Sequence, residues 1–153
     1  MKYIKYYESK SNDEFIGHQH SLVYRKLGRC EVSSLIGETI FDIVINRNST
    51  EIAFYCESGN NYCMYHDQDC CEYVRLYDIV GDLEDLIGNP ILKSSEDVGD
   101  EPDNVGYGND SYTWTFYNLA TIKGYVTLRW LGESNGYYSE SVNFIKISRN
   151  LNI

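Results

Sequence analysis

The sequence predicts an α+β fold: a twisted, mostly antiparallel β-sheet of about six strands with one short helix. Three observations predict it. Several segments alternate apolar and polar residues at the period of two that a half-buried strand requires. Turn chemistry separates them, as in Asn46-Arg47-Asn48-Ser49, Glu57-Ser58-Gly59-Asn60-Asn61 and Asn135-Gly136. One segment, Asp82 to Gly88, instead carries its apolar residues at helical spacing.

Taken in order, residues 1–34 are polar and tyrosine-rich and read as an N-terminal extension, with Gly17-His18-Gln19-His20 and a basic patch of Arg25, Lys26 and Arg29. A single compact β-rich domain is expected over 35–153. Ile40 to Ile45 and Glu51 to Cys56 read as strands; Tyr62 to His66 returns as a third, and Tyr73 to Tyr77 is a further short one. Leu83, Leu86 and Ile87 then share a helix face, with Asp82 as its cap, Gly88 as its stop and Pro90 beyond it. Ser94 to Asp110, acidic and glycine-bearing, reads as a long mobile loop. In Ser111 to Tyr117, Tyr112, Trp114 and Phe116 point one way and Ser111, Thr113, Thr115 and Tyr117 the other. In the next strand Val126, Leu128 and Trp130 form an apolar face, and Tyr125, Thr127 and Arg129 a polar one. Tyr138 to Ile147 is the last strand, reached through a hairpin at Asn135-Gly136.

The bulk composition narrows the function classes. At 153 residues the chain can bury a core without disulfides or metal. A net charge of −10 leaves no basic footprint for general DNA binding. It leaves open a local basic pocket, or docking on a basic partner. The 15 tyrosines suit both pleated surfaces and binding surfaces. No run of 18 apolar residues is present and the first residues lack an apolar signal segment, so neither membrane nor export is expected. Five cysteines without a secretion signal point to reduced thiols in a cytoplasm.

Two clusters could carry chemistry. The first is His66-Asp67-Gln68-Asp69-Cys70-Cys71-Glu72. Zinc accepts these ligand types, yet the spacing lacks the C-x-x-C of a zinc knuckle. A nucleophilic cysteine with His66 as base is a second reading, opposed by the carboxylates that would raise the thiol pKa. The plainest reading is structural: one cysteine packs inward as a small hydrophobe and Asp69 holds a turn. The second cluster runs from Arg129 to Glu140, with Trp130, Glu133, Ser134, Asn135, Tyr137 and Tyr138 around the turn. It offers more polar and aromatic groups than a turn needs, which suits recognition of a polar ligand. Phosphate-binding and hydrolase signatures are absent, and no cofactor, metal or catalytic residue is assigned.

These motifs also carry a resemblance. His66-x-Gln68-Asp69-Cys70-Cys71-Glu72, Thr113-Trp114-Thr115-Phe116-Tyr117 and Arg129-Trp130-x-Gly132-Glu133-Ser134-Asn135-Gly136-Tyr137-Tyr138-Ser139-Glu140 resemble an uncharacterised family of small phage and prophage proteins. Gly37 to Ile40 and Asp78 to Gly88 add to the match. The resemblance implies a host cell's cytoplasm and an accessory, counter-defence role, such as sequestering an immune signalling nucleotide. Arg129 would then pair with phosphate, Trp130 or Tyr137 would stack a base, and His66, Gln68 and Asp69 would line the pocket with Glu133, Ser134, Asn135 and Tyr138. The alternatives are an acidic inhibitor docking a host defence protein through Glu96 to Asp103, and a cysteine- or metal-dependent enzyme. The reading leans towards a non-enzyme and leaves a homo-oligomer open.

Overall fold

The computed structural model describes residues 22, 24–99 and 111–149. Among them nine strands form two antiparallel sheets. The strands are β1 (Tyr24–Arg29), β2 (Ile40–Ile45), β3 (Glu51–Cys56), β4 (Asn61–Tyr65), β5 (Tyr73–Val80), β6 (Lys93–Gly99), β7 (Ser111–Thr121), β8 (Gly124–Ser134) and β9 (Asn143–Arg149). One sheet has the order β1-β9-β4-β3-β2 and the other β5-β8-β7-β6. The expected single sheet of about six strands is therefore two sheets, of five and four strands.

The two sheets share one core. Ile43, Ile45, Ile52, Phe54 and Met64 from the five-stranded sheet join Val74, Tyr117, Leu119, Val126, Leu128 and Trp130 from the other in one buried cluster. Burying a large apolar side chain contributes about 1.5–3 kcal/mol, so this shared layer supplies most of the drive to fold. The outer face of the five-stranded sheet is also covered. Val44, Ala53, Tyr55, Cys63, Tyr65, Ile145 and Ile147 form a second buried cluster with Leu22. The Leu22 N–H donates to Glu51 Oε2 at 2.7 Å. Strand β3 is thus buried on both faces, which is why Ile52 to Cys56 reads as an unbroken apolar run.

Three further expectations change. The segment at Leu83–Leu86 is a single 3-10 turn rather than an α-helix, although Asp82 caps it by accepting from the Glu84 N–H at 3.0 Å. Only four residues separate its cap from Ile87, which returns to extended backbone, so no α-helical turn can propagate. A second 3-10 turn, Val32–Leu35, puts Val32 and Leu35 into the core. Residues 24–34, read as extension, thus supply a sheet strand and part of the core, while His18 and His20 lie outside the described residues. Most of the expected acidic loop is strand: Lys93–Gly99 pairs along β7, and residues 100–110 lie outside the described residues.

The connection after β8 also differs from a hairpin. Gly136 has the positive φ of 94° that a tight turn demands. The chain then crosses from the four-stranded sheet into β9 of the five-stranded one. Residues 135–142 are therefore an inter-sheet crossover at one end of the sandwich. No helix among the described residues is long and apolar enough to cross a membrane.

Candidate functional site

The first sequence cluster closes into a knot around one carboxylate. Glu72 is buried, and its Oε1 accepts from Asp69 N at 2.6 Å and lies 3.0 Å from His66 Nε2. Its Oε2 accepts from Cys70 N at 3.1 Å. Burial pushes this carboxyl up, but the hydrogen bonds from Asp69 N, His66 and Cys70 N outweigh burial and take it down to about 2. The other imidazole nitrogen, His66 Nδ1, lies 2.7 Å from the Ser141 carbonyl. Both partners of the ring are acceptors, so only the imidazolium donates to both at once. Gln68 Nε2 donates to the carbonyls of Cys70 and Glu72 at 3.1 and 2.7 Å.

The second cluster lies beside the first. His66 reaches Ser141, and the Asp67 N–H donates to Asn143 Oδ1 at 2.9 Å, so the loop before β5 is tied to the crossover after β8. A second buried carboxylate, Glu140, organises the crossover. It accepts from Thr113 Oγ1 at 2.8 Å and from Ser134 Oγ, which in turn accepts from the Gly136 N–H at 2.9 Å. Gly132 makes this approach possible: a Cβ there would lie 2.4 Å from the Glu140 carbonyl oxygen. Asn135 Oδ1 accepts from the Tyr137 N–H at 3.1 Å.

The predicted residues thus divide. His66, Gln68, Asp69, Ser134 and Asn135 are brought together at one end, chiefly as scaffold. Tyr137 is 89% exposed there and Tyr138 is half-buried. Trp130 faces the sandwich interior and is fully buried, so it cannot stack a ligand. Its apolar row was read correctly, but that row is the core face. Glu133 is buried and pairs with Arg75 at 3.0 Å. The adjacent sulfurs of Cys70 and Cys71 are joined in a disulfide, whereas reduced thiols were expected. Both nitrogens of His66 are engaged by the Ser141 carbonyl and Glu72 rather than by a cysteine sulfur. Among the described residues no group of three or more His, Cys, Asp or Glu is placed to hold a metal ion.

Arg129 belongs to a different surface, the outer face of the four-stranded sheet. Its guanidinium sits 4.8 Å from the Trp114 ring centroid and 5.9 Å from that of Phe116, and one nitrogen pairs with Asp78 Oδ2 at 3.1 Å. Trp114 meets Tyr77 edge-on at 5.2 Å. Arg75 in turn lies over Tyr77 at 5.8 Å and over Tyr73 at 4.4 Å. The result is one continuous strip of rings and guanidinium groups across β5, β8 and β7. The row Tyr112, Trp114, Phe116 thus faces outward, because Phe116 is opposite Arg129 in the β7–β8 register. Tyr117 and Leu119 take the core side of β7.

This strip has polar atoms to spare. Trp114 Nε1 and Asp78 Oδ1 are buried and have no hydrogen-bond partner. Trp130 Nε1 shares that condition, but inside the core. Tyr73 and Tyr77 are each 50% exposed. Sequence reasoning found Arg129 and missed Arg75, Tyr73, Tyr77 and Asp78. The signal was present: Tyr73, Arg75 and Tyr77 are spaced by two, which places them on one strand face.

A family model described as a domain of unknown function, DUF7448, matches residues 21–144. No curated protein and no solved structure matches the chain.

Proposed function

We propose that this chain, which belongs to the DUF7448 family of domains of unknown function, is a non-catalytic binding protein that sequesters a small nucleotide-like ligand on the outer face of its four-stranded sheet. The observation that carries this reading is the ring-and-guanidinium strip from Tyr73 to Phe116. Stacking on half-exposed tyrosines is tolerant of any base, because every base has a π-face. A guanidinium carries five N–H donors and suits phosphate. Arg75 and Arg129 each give a single nitrogen to a carboxylate. On a chain of net charge −10 an anionic ligand would share these two guanidinium groups with Glu133 and Asp78, binding through the donors the carboxylates leave over.

The resemblance to small phage proteins sets the biological form of the proposal. A phage product in the host cytoplasm that withholds an immune signalling nucleotide would act by stoichiometric capture, without turnover. The test is calorimetric titration of the purified protein with cyclic nucleotides and ADP-ribose derivatives. We expect binding by at least one of them and a loss of tenfold or more in Arg129→Ala, in line with about 1.5–3 kcal/mol for a charged hydrogen bond. Absence of binding across the whole panel would overturn the reading.

A second reading rests on the other open feature of this sheet. Among the described residues strand β6 is an edge strand, with Glu96 and Asp97 exposed and Val98 64% exposed. Such an edge accepts an added strand from a partner, and its acidic side chains select a basic one. This is the inhibitor of a host defence protein in structural terms. Replacing Glu96 and Asp97 with lysine should abolish capture of that partner; undiminished capture would discard this version.

A further inference from the structure

We propose that Cys70 and Cys71 form a reversible thiol–disulfide site on the surface loop between β4 and β5. The two residues are adjacent, both are exposed, and their sulfurs are joined. A disulfide stabilises a fold mainly by closing a loop in the unfolded chain, and the effect grows with loop length. Between neighbours there is no loop to close. The bond therefore adds little as a staple, and its consequence is chemical.

The loop does not depend on that bond for its shape. The Cys70 N–H donates to Glu72, the Cys70 carbonyl accepts from Gln68, and the Asp69 N–H donates to Glu72. His66 ties the same carboxylate to Ser141. These bonds use backbone and carboxylate groups, none of them a sulfur of the pair. The pair can open and close while the frame stays in place.

The other three cysteines are poor competitors. Cys56 and Cys63 are buried and Cys30 is half-buried. Burial pushes all three thiols up, Cys56 to about 12, with Glu38 adding to that shift. The thiolate is the reacting form, so these sites exchange slowly. The reaction assigned to Cys70 and Cys71 is thiol–disulfide exchange with a dithiol reductant. One reductant thiolate attacks one sulfur of the pair and releases the other as a thiolate, which takes up a proton. The second reductant thiol, as its thiolate, then attacks the reductant sulfur of the mixed disulfide, and the second cysteine leaves as a thiolate that takes up a proton. The pair gains two electrons and two protons, and the reductant leaves as its own disulfide.

The test is thiol accounting on the full chain. After treatment with oxidised glutathione and removal of excess, alkylation in denaturant should label Cys30, Cys56 and Cys63, with a mass deficit of two hydrogens on the peptide holding Cys70 and Cys71. After dithiothreitol all five should label, and in the folded protein two should label much faster than the rest. The double variant Cys70→Ser/Cys71→Ser should lose both fast sites and keep its melting temperature. Five labelled thiols regardless of oxidant would overturn the proposal. So would loss of folding on reduction, which would make the bond a staple instead.

Discussion

The loop end of the sandwich and the outer face of its four-stranded sheet both hold polar and aromatic residues, and they use them in opposite ways. At the loop end the polar groups answer one another. Glu72 takes three donors, Glu140 takes two, and His66 sits between two acceptors. On the outer face each arginine gives one nitrogen to a carboxylate, and a tryptophan N–H and an aspartate oxygen are left buried without partners. A satisfied network has already spent its hydrogen-bonding capacity on the fold. An unsatisfied one holds capacity for something else. On that contrast rests the proposal that the first region is scaffold and the second a recognition face.

The strongest way to break it is Glu72→Ala. The carboxylate is buried against a buried imidazole, and its loss leaves that ring nitrogen and two backbone N–H groups unanswered. Breaking a buried pair by removing one partner costs about 3–5 kcal/mol. Urea denaturation should show a loss of that order; a loss near zero would mean that the knot is not scaffold. The same group sets an acid limit. Its pKa is about 2 in the fold against an ordinary 4.5, so the unfolded chain binds more protons between those values. The stability contributed by Glu72 is complete above about pH 4.5 and is lost as pH falls towards 2. Glu72→Gln should flatten that part of the stability–pH curve, and an unchanged curve would place the acid transition elsewhere.

Gly132→Ala comes next. The added methyl meets the Glu140 carbonyl oxygen, which belongs to backbone and cannot swing aside. Overpacking of this kind costs about 1–3 kcal/mol. Thermal unfolding should register it without any change at the outer face, and near-native ligand affinity in the folded fraction would keep the two regions separate.

The comparison also shows what a sequence can disclose here. The strands were legible because alternation with a period of two is written directly in Ser111 to Tyr117 and Tyr125 to Trp130. Which face of Ser111 to Tyr117 meets the core was not. Trp114 and Phe116 are as apolar as any core row, and the cover given by Arg129 and Tyr77 makes an outward position tolerable. The division into two sheets was hidden for a similar reason: Asn135-Gly136 marks a turn, but nothing local says that the chain then changes sheet. The motif residues were found because they are dense in polar chemistry. Their role could not be read, since Glu72 and Glu140 look like surface carboxylates until the donors around them are known.

Arg129→Ala sharpens the contrast from the other side. Its pair with Asp78 is partly exposed, at 28% and 40%, and pairs of that kind contribute about 0–1 kcal/mol. Stability should fall by no more than about 1–2 kcal/mol, from the pair and the lost cover over Trp114 and Phe116, while affinity for the ligand falls tenfold or more. A variant that lost both together would make the strip a structural ladder, and the recognition surface would have to be sought elsewhere.

The smallest expected effect is the most discriminating. Tyr137 stands at the loop end and is 89% exposed, so it contributes almost nothing to the core. Tyr137→Ser should move stability by no more than about 0.5 kcal/mol, as exposed substitutions do. Its effect on binding separates two geometries. A ligand seated wholly on the strip between Tyr73 and Phe116 is indifferent to Tyr137. A ligand that also reaches over the crossover would stack on it, and removing one such ring costs about 1–3 kcal/mol. Unchanged affinity in a calorimetric titration keeps recognition on the sheet face. A clear loss joins the loop end to the site, with Glu72 and Glu140 then serving as the frame that holds a recognition loop in place.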